Sequence, residues 1–208
     1  CALPISPPEY IQAVDDLRCE HCDTVKDNPQ TSKSAPPKPY VFNEEVGVDG
    51  FDLHDYEGQC HQFLNIVCQG TNFQIVWYLR PGTGTPPSRM CAMAFLFAWV
   101  SWAGWPSEVV TDRGLHNRGI FARLLGTKGI CIRNIGLESP EQLGRTERHG
   151  GMWKATAKRS IHAQKIRGTD EMVILALSNN STMNGTRKGG FAPSQWVLGR
   201  FPRNPGNI

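Results

Sequence analysis

The sequence predicts an α/β protein, and the order of its apolar segments carries this prediction. Three strand-like segments follow one another at residues 46–53, 61–68 and 72–79. After them, helical patterns alternate with short β-branched segments. At 208 residues the chain is long enough for one core of ordinary size and an extension. We therefore expect one mixed α/β core.

Charge is distributed unevenly along the chain. The formal net charge of +3 combines −8 in residues 1–70 with +11 in residues 71–208. The basic second part is the expected face for a polyanion. Seven cysteines, an odd number, do not fit a secreted disulfide framework. The chain shows no signal peptide and does not begin with Met, so we expect it to be a segment of a longer protein.

The N-terminal segment contains one pair of closely spaced cysteines. A capping box at residues 6–9 predicts a short helix that leads into Cys19 and Cys22. A C-x-x-C pair supplies two of the four ligands of a tetrahedral zinc site. The alternative is a pair of free thiols near a helix end. Residues 23–40 are rich in Pro, Ser, Lys and Asn and are typical of a linker.

The first core strand contains a central acidic residue. Alternation in residues 46–53 places Gly47, Asp49, Phe51 and Leu53 on one side, and Val46, Val48, Gly50 and Asp52 on the other. Asp49 is the central acid of this strand. Asp52 and Asp55 lie close by and compete with it for a role in a site.

The middle of the chain predicts a buried helix followed by a buried strand. Residues 90–105 are apolar nearly all round, but sixteen residues fall short of the roughly 20 that a membrane span needs. A core helix is therefore expected rather than a membrane span. Residues 108–111 form a short buried strand that ends at Asp112. A helix over 116–126, a strand over 128–135 and a helix over 169–179 are the remaining predicted elements outside the segment described next.

The segment from 139 to 166 predicts a long helix with two distinct faces. Ser139 and Pro140 are a typical helix start. Glu147, Lys154, Lys158 and Lys165 lie on one face, and Gly150, Trp153, Ala157 and Ile161 form a largely apolar stripe that can face a core. One carboxylate followed by several ammonium groups suits a polyanion that must also meet a metal ion. The alternative is an ordinary solvated amphipathic helix.

Four motifs in this order resemble the catalytic core of retroviral and retrotransposon integrases, the D,D,E family. The motifs are VGVDGFDL around Asp49, GWPSEVVTDRG around Asp112, SPEQLGRTERHGGMWK around Glu147, and GFAPSQWVLGRFPRNP at residues 190–205. The resemblance runs from about Arg18 to Pro205. The sequence departs from the family in two places: 34 residues separate Asp112 from Glu147, one fewer than is typical, and Leu143 stands where Asn or Gln is common.

This resemblance implies a fold, a site and its cofactors. The implied fold is an RNase H-like core, a five-stranded mixed sheet flanked by helices, whose first three strands are antiparallel. Asp49, Asp112 and Glu147 would be the catalytic residues and would bind two Mg²⁺ or Mn²⁺ ions. The residues implied in DNA binding are Arg145, Arg148, Lys154, Lys158 and Lys165. Cys19 and Cys22 would be part of a zinc site that needs an upstream His pair, and no His precedes His21.

The implied activity is DNA integration. The enzyme would be a polynucleotidyl transferase with endonuclease activity, performing 3′-end processing and strand transfer of retroelement DNA into a target. Two alternatives are an RNase H-type nuclease and an inactive DNA-binding remnant or domesticated module. We expect a homo-oligomer that is released from a retroelement polyprotein, binds element and target DNA in the host nucleus and has no membrane partner. The expected domains are a truncated zinc-module remnant and linker (1–40), the catalytic core (41–168) and a C-terminal helix and tail (169–208).

Overall fold

A five-stranded mixed sheet forms the centre of the protein. The computed structural model describes residues 41–112, 114, 119–134, 144–186 and 190–202. The strands are β1 (Glu45–His54), β2 (Cys60–Cys68), β3 (Gln74–Pro81), β4 (Glu108–Thr111) and β5 (Cys131–Asn134), in the sheet order β3-β2-β1-β4-β5. The first three strands are antiparallel, whereas β4 and β5 continue the sheet parallel to β1. This arrangement confirms the predicted fold class.

Five helical elements accompany the sheet. They are α1 (Ser88–Phe95, continued by a π-helical segment Leu96–Val100 and a last turn Ser101–Ala103), α2 (Ile120–Thr127), α3 (Gly144–Gln164), α4 (Gly168–Gly185) and α5 (Pro193–Leu198). β4 and β5 have the short parallel pairing expected when helices provide the crossover connections. The described residues all belong to one unit of the chain, residues 33–208.

Alternation along β1 separates two hydrophobic cores. Val48 packs with Phe95 and Trp99 of α1 on one side of the sheet. Leu53 packs with Trp153 of α3 on the other side. The predicted alternation of β1 therefore holds in the structure. Complete burial of side chains of this size typically stabilises a fold by about 1.5–3 kcal/mol each, so both faces hold the sheet in place.

The apolar α1 segment is buried on one face only. Phe95 and Trp99 are fully buried, but Phe97 is 60% exposed, and Met93 and Trp102 are also exposed. The prediction of a helix in the core is thus correct for one face and wrong for the other. Among the described residues, no helix is long and apolar enough to cross a membrane.

Helix boundaries differ from the sequence prediction in several places. α2 begins at Ile120 in the described part of the chain, and the helix predicted to end at residue 179 continues to Gly185. The short helix α5 was not predicted. The expected helix start at Ser139 and Pro140 lies outside the described residues, as does the whole segment 1–40 that contains Cys19 and Cys22.

Candidate active site

Asp49 lies in the middle of β1, on the face of the sheet that α3 covers. Its neighbour on this face, Phe51, packs against Trp153 of α3 with ring centroids 5.5 Å apart. Val48, the residue before Asp49, packs in the core on the opposite face. The alternation of the strand therefore directs the Asp49 side chain toward α3. The strand that carries it, β1, is the central strand of the sheet.

Asp112 is placed next to Asp49 by the pairing of two parallel strands. Val48 of β1 is paired with Thr111, the last residue of β4. Asp49 is the next residue within β1 and Asp112 is the first residue after β4, so the two aspartates follow the same register position on neighbouring strands. The Asp112 Oδ1 atom accepts a hydrogen bond of 3.0 Å from the Gly114 backbone N–H. This hydrogen bond helps to orient the carboxylate directly after the strand.

Glu147 belongs to the first described turn of α3, where its side chain is exposed. The residue before it, Thr146, is fully buried against the sheet. Consecutive helix residues point about 100° apart, so burial of Thr146 leaves Glu147 at the rim of the contact. An acidic side chain is also favoured in this first turn by the helix dipole.

The pKa of Asp49 is raised by its surroundings, which include the other two acidic side chains. Burial, which is the largest cause, and the negative charges of Asp112 and, to a lesser degree, Glu147 together raise the pKa of Asp49 from 3.8 to about 6. A hydrogen bond from the Gly50 backbone and the ammonium group of Lys154 act in the opposite direction. Asp112 and Glu147 therefore lie close enough to Asp49 for their negative charges to act on it.

Within the described residues, however, no group of three or more His, Cys, Asp or Glu side chains is close enough together to hold a metal ion. The donor chemistry nevertheless fits a divalent cation, because hard cations prefer carboxylate oxygens and mutual repulsion favours neutralisation by a cation. The roles of Asp49, Asp112 and Glu147 as metal ligands and catalytic residues stay predictions.

The two competing acids have other partners. Asp52 lies opposite Gln62 on β2, and its Oδ1 atom accepts a long hydrogen bond of 3.4 Å from the Gln62 side chain. Asp55 is buried, and its carboxylate accepts hydrogen bonds from the Gln59 and Gly168 backbones at 2.8 and 2.9 Å. Asp52 lies on the face of β1 opposite Asp49, and Asp55 joins two chain segments through its hydrogen bonds. The choice of Asp49 as the catalytic acid stays a prediction.

The basic residues of α3 occupy different environments. The Lys154 Nζ atom lies 5.3 Å from the centroid of the Phe51 ring, beside Asp49. Arg148, Lys158 and Lys165 are exposed. Arg145 donates a hydrogen bond to the Gln69 carbonyl and thereby helps to dock the helix. Lys154 is thus the basic residue that the structure brings to the carboxylates, and DNA binding by all five remains a prediction.

Sequence reasoning missed a set of buried polar residues beneath the start of α3. Asn65, Gln69 and Gln74 are each at most 1% exposed, and all three make hydrogen bonds within the protein. The signal was present as an Asn in the apolar run FLNIV and two Gln flanking the next turn. Polar side chains in such positions are hydrogen-bonded when the segment is a buried strand.

Comparison with solved structures identifies the fold as that of retroviral integrase catalytic cores. The magnesium complex of the HTLV-2 integrase catalytic core in its dimeric form superposes with a TM-score of 0.61 at 17% identity, covering 76% of this chain and 98% of that one. A chain of the simian T-cell lymphotropic virus intasome in complex with PP2A regulatory subunit B56 gamma gives a TM-score of 0.66 at 16% identity, covering 94% of this chain and 70% of that one. The BIV integrase core gives 0.57 at 14% identity, covering 76% and 95%.

Sequence comparison alone gives no match. No protein-family model matches the chain, and no curated protein matches it. The likeness is therefore one of fold, and it agrees with the resemblance of the motifs around Asp49, Asp112 and Glu147.

Proposed function

We propose that this chain is the catalytic core of an integrase, a polynucleotidyl transferase that performs metal-dependent 3′-end processing and strand transfer of retroelement DNA. One observation carries the proposal: Asp49 within β1 and Asp112 just after β4 both follow the paired residues Val48 and Thr111, and the charges of Asp112 and Glu147 help to raise the pKa of Asp49. This arrangement of acids occurs in a fold shared with integrase cores.

The proposed chemistry is attack on a phosphodiester by water or by a 3′-hydroxyl. Asp49, Asp112 and Glu147 would hold Mg²⁺ or Mn²⁺, and bound metal would supply activation of the nucleophile and stabilisation of the leaving oxygen. Burial of Asp49 and the neighbouring negative charge disfavour its ionised form until a cation arrives. Lys154 lies beside this site and is suited to contact a substrate phosphate.

The alternatives differ in which groups they need. An RNase H-type nuclease typically uses a fourth acid, and the nearby Asp52 and Asp55 are directed to other partners. An inactive DNA-binding remnant is favoured by the lack of a closed three-carboxylate group among the described residues. It would keep the basic helix α3 and its DNA affinity but would not cut or join strands.

We also propose that the protein acts as a homo-oligomer on element and target DNA, as part of a retroelement polyprotein product in the host nucleus. Exposed apolar side chains on two helices support association: Phe97 on α1 is 60% exposed, and Ile174 and Leu177 on α4 are 62% and 57% exposed. Exposed groups of this size often mark protein interfaces. The HTLV-2 integrase core was solved in dimeric and trimeric forms.

A strand-transfer assay tests the function directly. An oligonucleotide that mimics an element end is incubated with the protein in Mg²⁺, Mn²⁺ or EDTA, using wild type, Asp49→Asn and Asp112→Asn. Asp52→Asn, on the same strand but the opposite face, is the matched control. We expect both site variants to lose on the order of 100-fold in rate, about 2.7 kcal/mol of transition-state stabilisation, whereas the control stays within about twofold.

Three outcomes would contradict the proposal. Full activity in EDTA would exclude the metal-dependent reaction. Activity retained in Asp49→Asn or Asp112→Asn, with loss in Asp52→Asn, would show that a different acid is used. DNA binding without any cutting or joining in the wild type would favour the inactive remnant.

A further inference from the structure

A chain of buried side-chain amides fastens the first turn of α3 to the sheet. The Gln69 Nε2 atom donates a hydrogen bond of 2.6 Å to the Thr146 hydroxyl. The Asn65 Nδ2 atom donates one of 3.1 Å to the Thr146 backbone carbonyl. Gln74 in turn donates from Nε2 to the Asn65 Oδ1 atom at 2.8 Å. We call Asn65, Gln69 and Gln74 the amide clasp.

Both anchor points on α3 lie on the residue that precedes Glu147. The clasp therefore acts on the helix at Thr146, one residue from the carboxylate, rather than through the apolar stripe further along. Trp153, Ala157 and Ile161 hold the body of α3 by packing, which is non-directional. Hydrogen bonds are directional, so the clasp fixes the rotation and height of this turn more sharply than packing does.

Two glycines make room for these contacts. A Cβ atom at Gly47 would overlap the Thr146 hydroxyl and stand 2.5 Å from the Gln69 Nε2 atom. A Cβ atom at Gly150 would stand 3.2 Å from the Asn65 Nδ2 atom. Neither Gly47 nor Gly150 has a positive φ angle, so backbone conformation does not require glycine at these positions. The close approach of the helix to β1 and β2 accounts for the absence of a side chain at both.

The clasp extends to the edge of the sheet. The Asn184 side chain of α4 accepts from the Gln74 backbone N–H at 2.8 Å and donates to the Gln74 carbonyl at 2.6 Å. Through Gln74 and Asn65, α4 is thus linked to the first turn of α3 by consecutive hydrogen bonds. Burial of polar groups costs free energy unless they are hydrogen-bonded, and a hydrogen-bonded network of this kind makes the local geometry more rigid and specific.

We propose that Asn65, Gln69 and Gln74 are positioning residues for Glu147. They hold the first turn of α3 at the height and rotation that bring the Glu147 carboxylate to Asp49 and Asp112. The role of Glu147 in this inference rests on the proposed function, but the mechanical role of the clasp does not. Reacting groups displaced by about 1 Å lose on the order of 100-fold in rate, so a small release of this turn has a measurable effect.

Thr146→Val is the test variant because it keeps the side-chain shape and removes the hydroxyl that Gln69 contacts. Thr146→Ser restores the hydroxyl and serves as the rescue. Thr156→Val is the matched control: it makes the same change on the same helix, where the described partners of the hydroxyl, at Met152 and Met183, lie outside the clasp. Asn65→Leu is a second, independent break of the clasp. Hydrogen exchange of residues 144–150 and steady-state strand transfer are measured for each.

We expect exchange in residues 144–150 to rise about tenfold in Thr146→Val and Asn65→Leu, because each leaves a buried polar group without its partner. The kcat for strand transfer should fall about tenfold or more while the KM for DNA stays within about twofold. Thr146→Ser and Thr156→Val should behave as the wild type. A smaller folded fraction would also lower the apparent kcat, so positioning is separated from a general loss of folded protein by a rise in exchange confined to residues 144–150, with rescue by Ser.

Unchanged exchange and kcat in both clasp variants would overturn the inference. So would a rise in exchange spread evenly over β1, β2 and α3, since that result assigns the amides to global stability alone. If the wild type has no strand-transfer activity, the proposed function fails separately, and hydrogen exchange of residues 144–150 still decides whether the clasp holds this turn.

Discussion

Gly47 of β1 lies directly beneath Thr146 of α3, and no atom larger than hydrogen fits between them. A Cβ atom at position 47 would overlap the Thr146 hydroxyl oxygen and come within 3.1 Å of the Thr146 Cβ atom. Because Thr146 is fully buried, it has no solvent-filled space into which it can move. The contact therefore sets the closest distance at which the helix with Glu147 can approach the strand with Asp49.

Gly47→Ala should weaken both the fold and the proposed reaction. Overpacking a buried contact of this kind typically costs about 1–3 kcal/mol, and displacement of α3 should lower strand transfer at least tenfold. Urea unfolding and the strand-transfer assay measure the two effects.

Gly151→Ala is the control for this prediction, because Gly151 is exposed on α3 and a Cβ atom there meets nothing within 4 Å. This change should leave activity intact and stabilise the helix by about 0.5–1 kcal/mol. Equal stability and activity of Gly47→Ala and wild type would show that the strand and helix are not in tight contact at this point.

Sequence patterns predicted the elements that depend on alternation and on helical spacing. The two faces of β1 and the bounds of β4 agree with the sequence prediction, and the stripe of Gly150, Trp153, Ala157 and Ile161 is buried as expected. These features follow from local periodicity, which the sequence displays directly. The same periodicity placed Asp49 on the face that α3 covers.

The C-terminal half of α4 could not be predicted in this way. Asn179, Asn180 and Asn184 are poor helix formers, and the predicted helix ended at the first of them. In the structure Asn180 both accepts from the Val76 N–H and donates to the Val76 carbonyl, each at 2.9 Å. Asn184 does the same at Gln74. The two side-chain amides thus satisfy backbone N–H and C=O groups of the edge strand β3. Such long-range contacts override local helix propensity.

Asp49→Asn should stabilise the metal-free protein at neutral pH. The pKa of Asp49 is about 6 in the folded state and near 3.8 when unfolded, so the folded state binds more protons between these values. Stability therefore falls as pH rises through this window, and the full penalty of ionised Asp49 is present above it. Asn cannot ionise, so the variant should be more stable by about 1–3 kcal/mol at pH 7.5.

Urea unfolding in EDTA at pH 4.5 and pH 7.5 measures this difference, which should shrink toward the lower pH. Under the proposed function, Mn²⁺ should stabilise the wild type at pH 7.5 and leave Asp49→Asn nearly unchanged. A variant that is less stable than the wild type at pH 7.5 would mean that Asp49 is well solvated or already paired with a cation-like group.

Asp55→Asn should show the opposite dependence on pH. Burial opposes ionisation of Asp55, but hydrogen bonds from Gly168, Gln59 and His61 outweigh it and hold the pKa of the carboxyl below its usual value. A lowered pKa contributes stability above the unfolded value near 3.8, and this contribution is lost as pH falls through the folded value.

The Asp55→Asn variant should therefore lose about 1–3 kcal/mol at pH 7.5 and lose less at acid pH. The same urea series measures both variants, so each serves as the other's control. Parallel behaviour of the two variants would contradict the different environments that the structure gives these two aspartates.

Lys154 and Lys158 should each contribute one phosphate contact to DNA binding. Lys154 lies beside Asp49 and over the Phe51 ring, and Lys158 is exposed one helical turn further along α3. A lysine that contacts phosphate displaces about one counterion, so each Lys→Ala change should flatten the slope of log affinity against log salt by about 1. Lys128→Ala is the control. Lys128 also lies over an aromatic ring, that of Trp105 at 5.7 Å, but it is next to α2 on the other side of the sheet.

Duplex affinity measured from about 50 to 200 mM salt gives the slopes. Equal slopes for wild type and both α3 variants would assign these lysines to solubility, and a change in Lys128→Ala alone would move the DNA path to the opposite face.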